Sequence, residues 1–330
     1  MSSLVVFGGS GFVGTHLTNM LGDAFERIYI ADIRSPGWHL KETAVTNPRA
    51  TYVYCDVRKP IDRSLFDSDV TAIINLAAVH TSPGHEPHEY FETNITGARH
   101  VCDYASDADI KRIVFTSSIS VYGPGEDEKT EDTVPMPAIP YGSSKIIAEY
   151  IHREWLFAGS DRRLSVVRPA VIFGIGEGGN FTRIANTLEK GIFAYPGRTD
   201  TVKGCLYVKD LCRYILQRLG EEEHYSLVNF CYPEKITIQQ IVRSFKKQLG
   251  YKAPEFVIPW VFINGGVSVL NTLNIPYVRR MGIVPDRLIK LVKSTNISSN
   301  KLKQTGFTFQ YPLDEALADW SKDCNGKTLY

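Results

Sequence analysis

The sequence predicts an α/β protein, a doubly wound parallel sheet followed by a smaller C-terminal lobe, on three observations. Short β-branched runs alternate with longer helical patterns through the first half, the pattern of a parallel sheet covered on both faces. A glycine-rich turn comes directly after the first of these runs. The strand pattern then weakens after Pro169, where Gly, Pro and short apolar pieces take over.

Taken in order, Leu4-Val-Val-Phe7 reads as a buried strand and Phe12 to Leu21 as a helix with apolar spacing. Residues 28–31, 51–54, 72–75 and 112–116 come next as strands, with helices expected around 88–106 and 142–158 and a further strand at 164–168. The break at Pro169 divides the chain into a dinucleotide-type domain, 1–168, and a lobe, 169–330, with 225–232 expected to thread back into the sheet. Phe256 to Leu273 is apolar but interrupted by Pro259, Gly265 and Gly266, and short for a membrane span, so it is expected as a buried helix of the lobe.

Composition excludes several classes. The 37 Lys+Arg and 36 Asp+Glu nearly cancel, so no strong field points to nucleic acid or an anionic membrane. Six scattered cysteines without a C-x-x-C pair argue against a zinc ribbon or a disulfide framework and for a reducing, cytoplasmic setting. The chain enters a strand directly after Met-Ser-Ser, which leaves no room for a signal peptide in this sequence. His80, His85 and His88 share a loop with Glu86 and Glu89, but their spacing fits no metal motif, and no metal is expected.

The turn Gly8-Gly9-Ser10-Gly11-Phe12-Val13-Gly14 opens the first helix. Such a turn lets the backbone approach a pyrophosphate without a Cβ in the way and aims helix N-terminal N–H groups at the anion. Asp32 ends the second strand, 24 residues after Gly8, near the spacing of a carboxylate that holds the adenosine ribose hydroxyls. Strand, glycines, helix, strand and acid in this order predict a Rossmann site, with Ile33 and Arg34 beside the ribose. The carboxylate would meet a 2′-phosphate at hydrogen-bonding distance, which favours NAD over NADP. Arg34 is the residue that argues the other way.

Ligands of an open parallel sheet lie beyond the carboxyl ends of its strands, so Ser117 and Ser118 emerge where a nicotinamide would sit. Tyr141 and Lys145 form the only Tyr-x-x-x-Lys in the chain, one helical turn apart on one face. Oxidising a carbinol needs a base for the hydroxyl proton and an acceptor for the hydride. A free tyrosine titrates at about 10, so acting near pH 7 means a shift of about three units, roughly 4 kcal/mol. An ammonium one turn away supplies part of that, and Ser118 holds the substrate oxygen in line. Ser118, Tyr141 and Lys145 are therefore the expected catalytic residues.

Together these residues resemble the extended short-chain dehydrogenase/reductases, in particular the nucleotide-sugar epimerase/dehydratase group, over nearly the whole chain. Gly8, Gly11 and Gly14 match the family's glycine turn, and Asp56-Val57 its adenine-contacting pair. Leu76, Ala77 and Ala78 match the segment lining the cofactor, Asn94 its structural asparagine, and Arg168-Pro169 the strand that reaches the carboxamide. Tyr207 to Asp210 and Ser299 to Leu317 resemble its later segments.

The resemblance implies NAD chemistry on a nucleotide sugar and a homodimer through the helices around 88–106 and 142–158. The departures narrow the reaction. Ile119-Ser120 stand where 4,6-dehydratases carry Asp-Glu, which argues against dehydration; Ile119 likewise replaces the cysteine of GDP-fucose synthases. Val171 replaces the asparagine of tight UDP binders, and Lys203 stands near their arginine, where it could meet a diphosphate as a point charge.

The expected activity is a 4-epimerase or 4-ketoreductase acting on a UDP-hexose or UDP-N-acetylhexosamine. His80, Thr81, Ser82, Ser118, Asn180 and Lys203 are expected toward the substrate; the helix opening at Asn180 either faces its diphosphate or is ordinarily capped. Two alternatives stand beside this reading. One is a 3β-hydroxysteroid dehydrogenase-like oxidoreductase, suggested by the run Arg168 to Gly174 and the apolar 256–273 segment. The other is a NAD-sensing protein without turnover, against which the complete Ser/Tyr/Lys set counts.

Overall fold

In the computed structural model, residues 2–38, 44–81, 84–261, 292–326 and 328–330 are described. The first half runs β1 (Ser3–Phe7), α1 (Phe12–Met20), β2 (Arg27–Asp32), β3 (Ala50–Tyr54), β4 (Val70–Asn75), α2 (Pro87–Phe91), α3 (Gly97–Asp107) and β5 (Arg112–Thr116). Next come β6 (Gly125–Lys129), α4 (Pro140–Phe157), β7 (Arg163–Pro169), β8 (Val171–Phe173), α5 (Asn180–Glu189), β9 (Ala194–Pro196) and β10 (Cys205–Tyr207). The chain continues through α6 (Val208–Gly220), β11 (Tyr225–Phe230), α7 (Ile238–Leu249), β12 (Phe256–Ile258), β13 (Thr295–Ile297), α8 (Asn300–Gln304) and α9 (Leu313–Asp323).

Seven strands form one sheet in the order β11-β7-β5-β4-β1-β2-β3, all pairs parallel. The order reverses between β1 and β4, so the crevice for a ligand opens beyond Phe7 and Asn75 at that switch point. Alternation along β1 explains the double winding. Leu4 and Val6 pack in one cluster with Leu17 of α1 and Leu211 of α6, while Val5 and Phe7 pack in the other with Val101 and Tyr104 of α3. Tyr225–Phe230 pairs with β7 as the edge strand, so the chain does return to the sheet after leaving it at Pro169.

The expected helix over 88–106 is not continuous. Residues Glu92–Thr96 form a π turn between α2 and α3. The inserted residue turns Asn94 inward. The loop acids near His85 are also accounted for: Glu86 and Glu89 form a capping box on α2, and His85 Nδ1 lies 3.2 Å from Glu89 Oε1.

Among the described residues, three two-stranded parallel pairs lie outside the sheet, β10-β8, β12-β9 and β13-β6. The C-terminal helix is latched to the rest by Tyr207 and Lys209, which both donate to Asp319 Oδ2 at 2.7 and 2.6 Å. The buried helix expected from Phe256 is not formed at its start. Phe256, Val257 and Ile258 are an exposed strand, because β9 offers them a backbone partner and no core among the described residues covers their side chains. Residues 262–273 lie outside the described residues. Among the described residues no helix is long and apolar enough to cross a membrane.

Candidate active site

The glycine turn closes β1 onto α1 through geometry that only small residues allow. Gly8 has φ +74°, and a Cβ there would lie 2.7 Å from Ala77 N. A Cβ on Gly14 would lie 2.6 Å from the Gly9 backbone, so both glycines are required by the protein's own packing. Gly11 differs. Its φ of −74° suits any residue, and a Cβ would meet only Gly8 O, at 3.3 Å. The space in front of Gly11 is therefore a cradle that a side chain would begin to fill, at the N-cap of α1 where N–H groups await an anion.

Asp32 closes the same pocket. Its Oδ2 accepts from Ser10 N at 3.1 Å and its Oδ1 from Arg34 N at 3.1 Å, while burial raises its carboxyl pKa. The Ser10 hydroxyl is buried without a partner among the described residues. A carboxylate held at the end of β2 beside an open glycine turn fits the ribose and pyrophosphate of a dinucleotide. Arg34 lies over the Trp38 ring, 3.9 Å from its centroid, with Ile33 exposed beside it. Asp56, expected near the adenine with the buried Val57, is clamped by Arg58, whose Nε and Nη2 reach its two oxygens at 2.8 Å each and lower its pKa.

Beyond β4 the chain bends along Leu76, Ala77 and Ala78. Ala77 N donates to Asn75 Oδ1 at 3.2 Å, which fixes this stretch against Gly8. Asn94 holds the residue after Ala78 from both sides. Its Oδ1 accepts from Val79 N at 2.8 Å, and its Nδ2 donates to Val79 O and to Ser144 Oγ. Its amide is thus spent on joining the lining segment to α4, a structural role.

The trio assembles where β5 and α4 meet. Ser118 caps a short 3-10 turn, 119–122, its Oγ accepting from Ser120 N at 3.1 Å. A Cβ on Gly142 would lie 2.4 Å from Ser120 O, so the glycine after Tyr141 is what lets α4 approach this turn. Tyr141 thereby comes beside Ser118. Burial pushes its phenol up to about 12, and the Ser118 hydroxyl pulls the other way. Lys145 is 2% exposed, with Nζ 4.6 Å from the Phe115 ring centroid; burial takes its ammonium down to about 7, and Glu149 opposes that fall.

A hydroxyl, a phenol and a buried ammonium in this order at the carboxyl edge can hold a substrate oxygen and move its proton. Residues 4–231 match the family model described as the NAD dependent epimerase/dehydratase family. The chain belongs to that family.

Among its relatives is an N-acetyl-α-D-glucosaminyl-diphospho-ditrans,octacis-undecaprenol 4-epimerase of Escherichia coli O157:H7, 27% identical over 96% of this chain and 93% of the relative. The UDP-glucose 4-epimerase of Bacillus subtilis (strain 168) is 24% identical over 58% of this chain and 59% of its own. In fold, the chain resembles the UDP-N-acetylglucosamine 4-epimerase of Methanobrevibacter ruminantium M1, solved with UDP-N-acetylmuramic acid. That structure has a TM-score of 0.78 and 18% identity, over 98% of both chains.

As a member of the epimerase/dehydratase family the protein is an NAD-dependent enzyme, and the glycine turn and Asp32 fit that cofactor. The expected substrate residues are less closely gathered. Thr81 O accepts from Tyr90 OH, and the Tyr90 ring lies 6.3 Å from that of Tyr141, so this loop borders the trio with His80 exposed beside it. Ser82 lies outside the described residues. At Asn180 the helix forms as expected, but Glu177 takes its free N–H groups: Oε1 accepts from Phe181 N and Oε2 from Thr182 N. Lys203 Nζ donates to Lys293 O at 2.8 Å, and burial lowers it to about 8.

Sequence reasoning missed the polar core under the trio. Glu149 accepts from Ser117 Oγ at 2.5 Å and from Arg168 Nε and Nη2 at 2.8 and 2.6 Å. His152 is fully buried, its Nε2 3.2 Å from Asn75 Nδ2. The signal was present: Tyr141, Lys145, Glu149 and His152 recur at helical spacing on one face of α4, and a polar stripe on a buried face calls for partners. Pro169 ends β7 one residue beyond Arg168.

Proposed function

We propose that the protein is a 4-epimerase of a diphosphate-linked hexose or N-acetylhexosamine, with Tyr141 as the base and a UDP-linked sugar as the first candidate. The observation that carries this reading is the meeting of Ser118, at the sheet's carboxyl edge, with the start of α4, which bears Tyr141 and, one turn on, the buried Lys145. Tyr141 takes the O4 proton while Ser118 fixes that oxygen. Lys145, one turn along α4, would supply positive charge to the phenol and to the cofactor ribose. NAD⁺, when bound, supplies the acceptor for the C4 hydride and its return. Gly8, Gly11 and Gly14, Phe12, Val13 and Asp32 would hold the cofactor's pyrophosphate and ribose, with Leu76 to Ala78, Ser117 and Pro169 along its nicotinamide half.

A second carrier is favoured by one observation. The relative matched over nearly the whole chain acts, by its name, on a polyprenol-diphosphate sugar. The exposed apolar strand Phe256–Ile258 with Val261 is consistent with an isoprenoid tail. The homodimer is supported by the exposed apolar residues Ile147, Tyr150 and Phe157 on α4.

The test is proton NMR of the protein with NAD⁺, watching the anomeric region with UDP-, GDP- and dTDP-sugars and with polyprenyl-diphosphate N-acetylglucosamine in detergent. A second anomeric signal growing to equilibrium is expected with one of these. Turnover should fall by about 10²-fold or more in Tyr141→Phe, with NAD⁺ affinity little changed. Silence with every sugar would overturn the epimerase and leave a reductase that needs a 4-keto substrate.

A further inference from the structure

The second strand ends on Asp32, and the residues after it decide what stands beside that carboxylate. Arg34 N donates to Asp32 Oδ1 at 3.1 Å, so the backbone of Arg34 is tied to the acid. Its side chain goes elsewhere. The guanidinium lies 3.9 Å from the centroid of the Trp38 ring. The sequence between them makes this contact possible. Gly37 has φ +82°, and Pro36-Gly37 is suited to the two central positions of a tight turn. The turn from Ser35 to Trp38 brings the indole back over the arginine.

An arginine this close to a carboxylate in sequence has an obvious partner in it. Among the described residues, however, no ion pair joins the two side chains, and the Asp32 oxygens are held by the N–H groups of Ser10 and Arg34. Tyr52 OH donates to Asp32 O at 3.2 Å and fixes the strand end itself. Trp38 is 41% exposed. A cation on an aromatic face at such a site is favoured over release by a factor of about 2–5. The stack therefore has two consequences. Asp32 keeps its charge for ribose hydroxyls, and Arg34 is drawn away from the place a 2′-phosphate would take.

We propose that Trp38 is a positioning residue for cofactor choice: by holding Arg34 on its ring it withholds the guanidinium from a 2′-phosphate and, together with Asp32, favours NAD over NADP. The proposal rests on the reading that Asp32 holds the adenosine ribose. It makes a signed demand. A ring that presented Arg34 to the phosphate would, once removed, weaken NADP⁺ binding. A ring that withholds Arg34 would, once removed, strengthen it, and only while Arg34 is present.

Calorimetric titration of the full chain with NAD⁺ and with NADP⁺ gives both affinities for the wild type, Trp38→Ala, Arg34→Ala and the double variant. In Trp38→Ala the NADP⁺ affinity rises about 2–5-fold, the factor by which the stack withheld the arginine, and discrimination narrows. The double variant loses that gain, so Arg34→Ala costs more NADP⁺ affinity in the Trp38→Ala background than in the wild type. Trp38→Tyr keeps an aromatic face and restores discrimination. Without any cofactor, Arg34→Ala alters the tryptophan emission of the chain, a change absent from the Trp38→Phe background. Circular dichroism reports folding; should Trp38→Ala not fold, Trp38→Leu keeps apolar bulk without an aromatic face and carries the same demand. NADP⁺ affinity unchanged or lower without the ring, or a gain that survives in the double variant, would overturn the proposal. If Asp32→Ser binds NAD⁺ as the wild type does, the ribose reading falls and this proposal with it. If Asp32→Ser weakens NAD⁺ while loss of the Trp38 ring leaves discrimination unmoved, only the proposal about Trp38 falls.

Discussion

Replacing Gly11 and Gly14 separately by alanine distinguishes a glycine kept for a ligand from one kept for the fold. At Gly14 the added Cβ would stand 2.6 Å from Gly9 Cα and O, inside any tolerable contact, and the neighbour is backbone that cannot swing away. Overpacking of this kind costs about 1–3 kcal/mol. At Gly11 the nearest atom is Gly8 O at 3.3 Å, and φ is already in the ordinary range. Alanine gains up to ~1 kcal/mol through a less free unfolded chain and loses a similar amount as a poorer N-cap, so the net is about zero. Gly14→Ala should therefore lower Tm by about 2–10 °C, and Gly11→Ala by less than about 2 °C. Gly11→Ala should nonetheless weaken NAD⁺ binding tenfold or more, about 1.4 kcal/mol, because the methyl occupies the approach to the pyrophosphate. Thermal unfolding without ligand and calorimetric titration with NAD⁺ measure the two effects. Equal stability losses, or a Gly11→Ala protein that binds NAD⁺ as the wild type does, would refute the assignment of that space to the cofactor.

Three further outcomes are expected. Asp32→Ser removes a charge-assisted bond to the ribose and the repulsion of a 2′-phosphate, so NAD⁺ affinity falls about 10–100-fold and discrimination against NADP⁺ narrows; fluorescence titration with both cofactors checks it, and an unchanged ratio counts against the role. Glu177→Ala strips Phe181 N and Thr182 N of their acceptor and should cost about 1–2 kcal/mol, seen as a lower Tm. Lys145 titrates at about 7 when folded, below its unfolded value, so between pH 7 and about 9.5 the unfolded chain binds the extra proton and stability rises with pH, by up to ~1.4 kcal/mol per unit. Denaturant unfolding of Lys145→Met across that window should lack this component, and a parallel pH dependence in the two proteins would sink the inference.

What was legible in the sequence was whatever depends on local order along the chain. A strand, a glycine turn, a helix and an acid in succession specify β1 to Asp32 because each piece is fixed by its neighbours in sequence. Tyr141 and Lys145 were readable because four residues on a helix is a statement about one face. The π turn at 92–96 was not, since it exists to bring Asn94 to Val79 and Ser144, partners 15 and 50 residues away. Phe256–Ile258 misled for a related reason. An apolar run argues for burial, and only the pairing with Ala194–Pro196 makes it an exposed strand. The anion at the start of α5 was anticipated in kind, but it is the protein's own Glu177, three residues before the helix.

A neutral polar system under the site fixes its geometry. Asn75 donates from Nδ2 to His152 Nε2, since its Oδ1 already accepts from Ala77 N. The imidazole must then carry its proton on Nδ1, which donates to Ala148 O at 2.7 Å, and stacking on Phe115 at 4.1 Å holds the ring in place. A neutral histidine is what this arrangement requires, and burial keeps it so. The path Ala77–Asn75–His152–Ala148 therefore ties the segment facing Gly8 to the helix bearing Tyr141 and Lys145 without placing any charge near them.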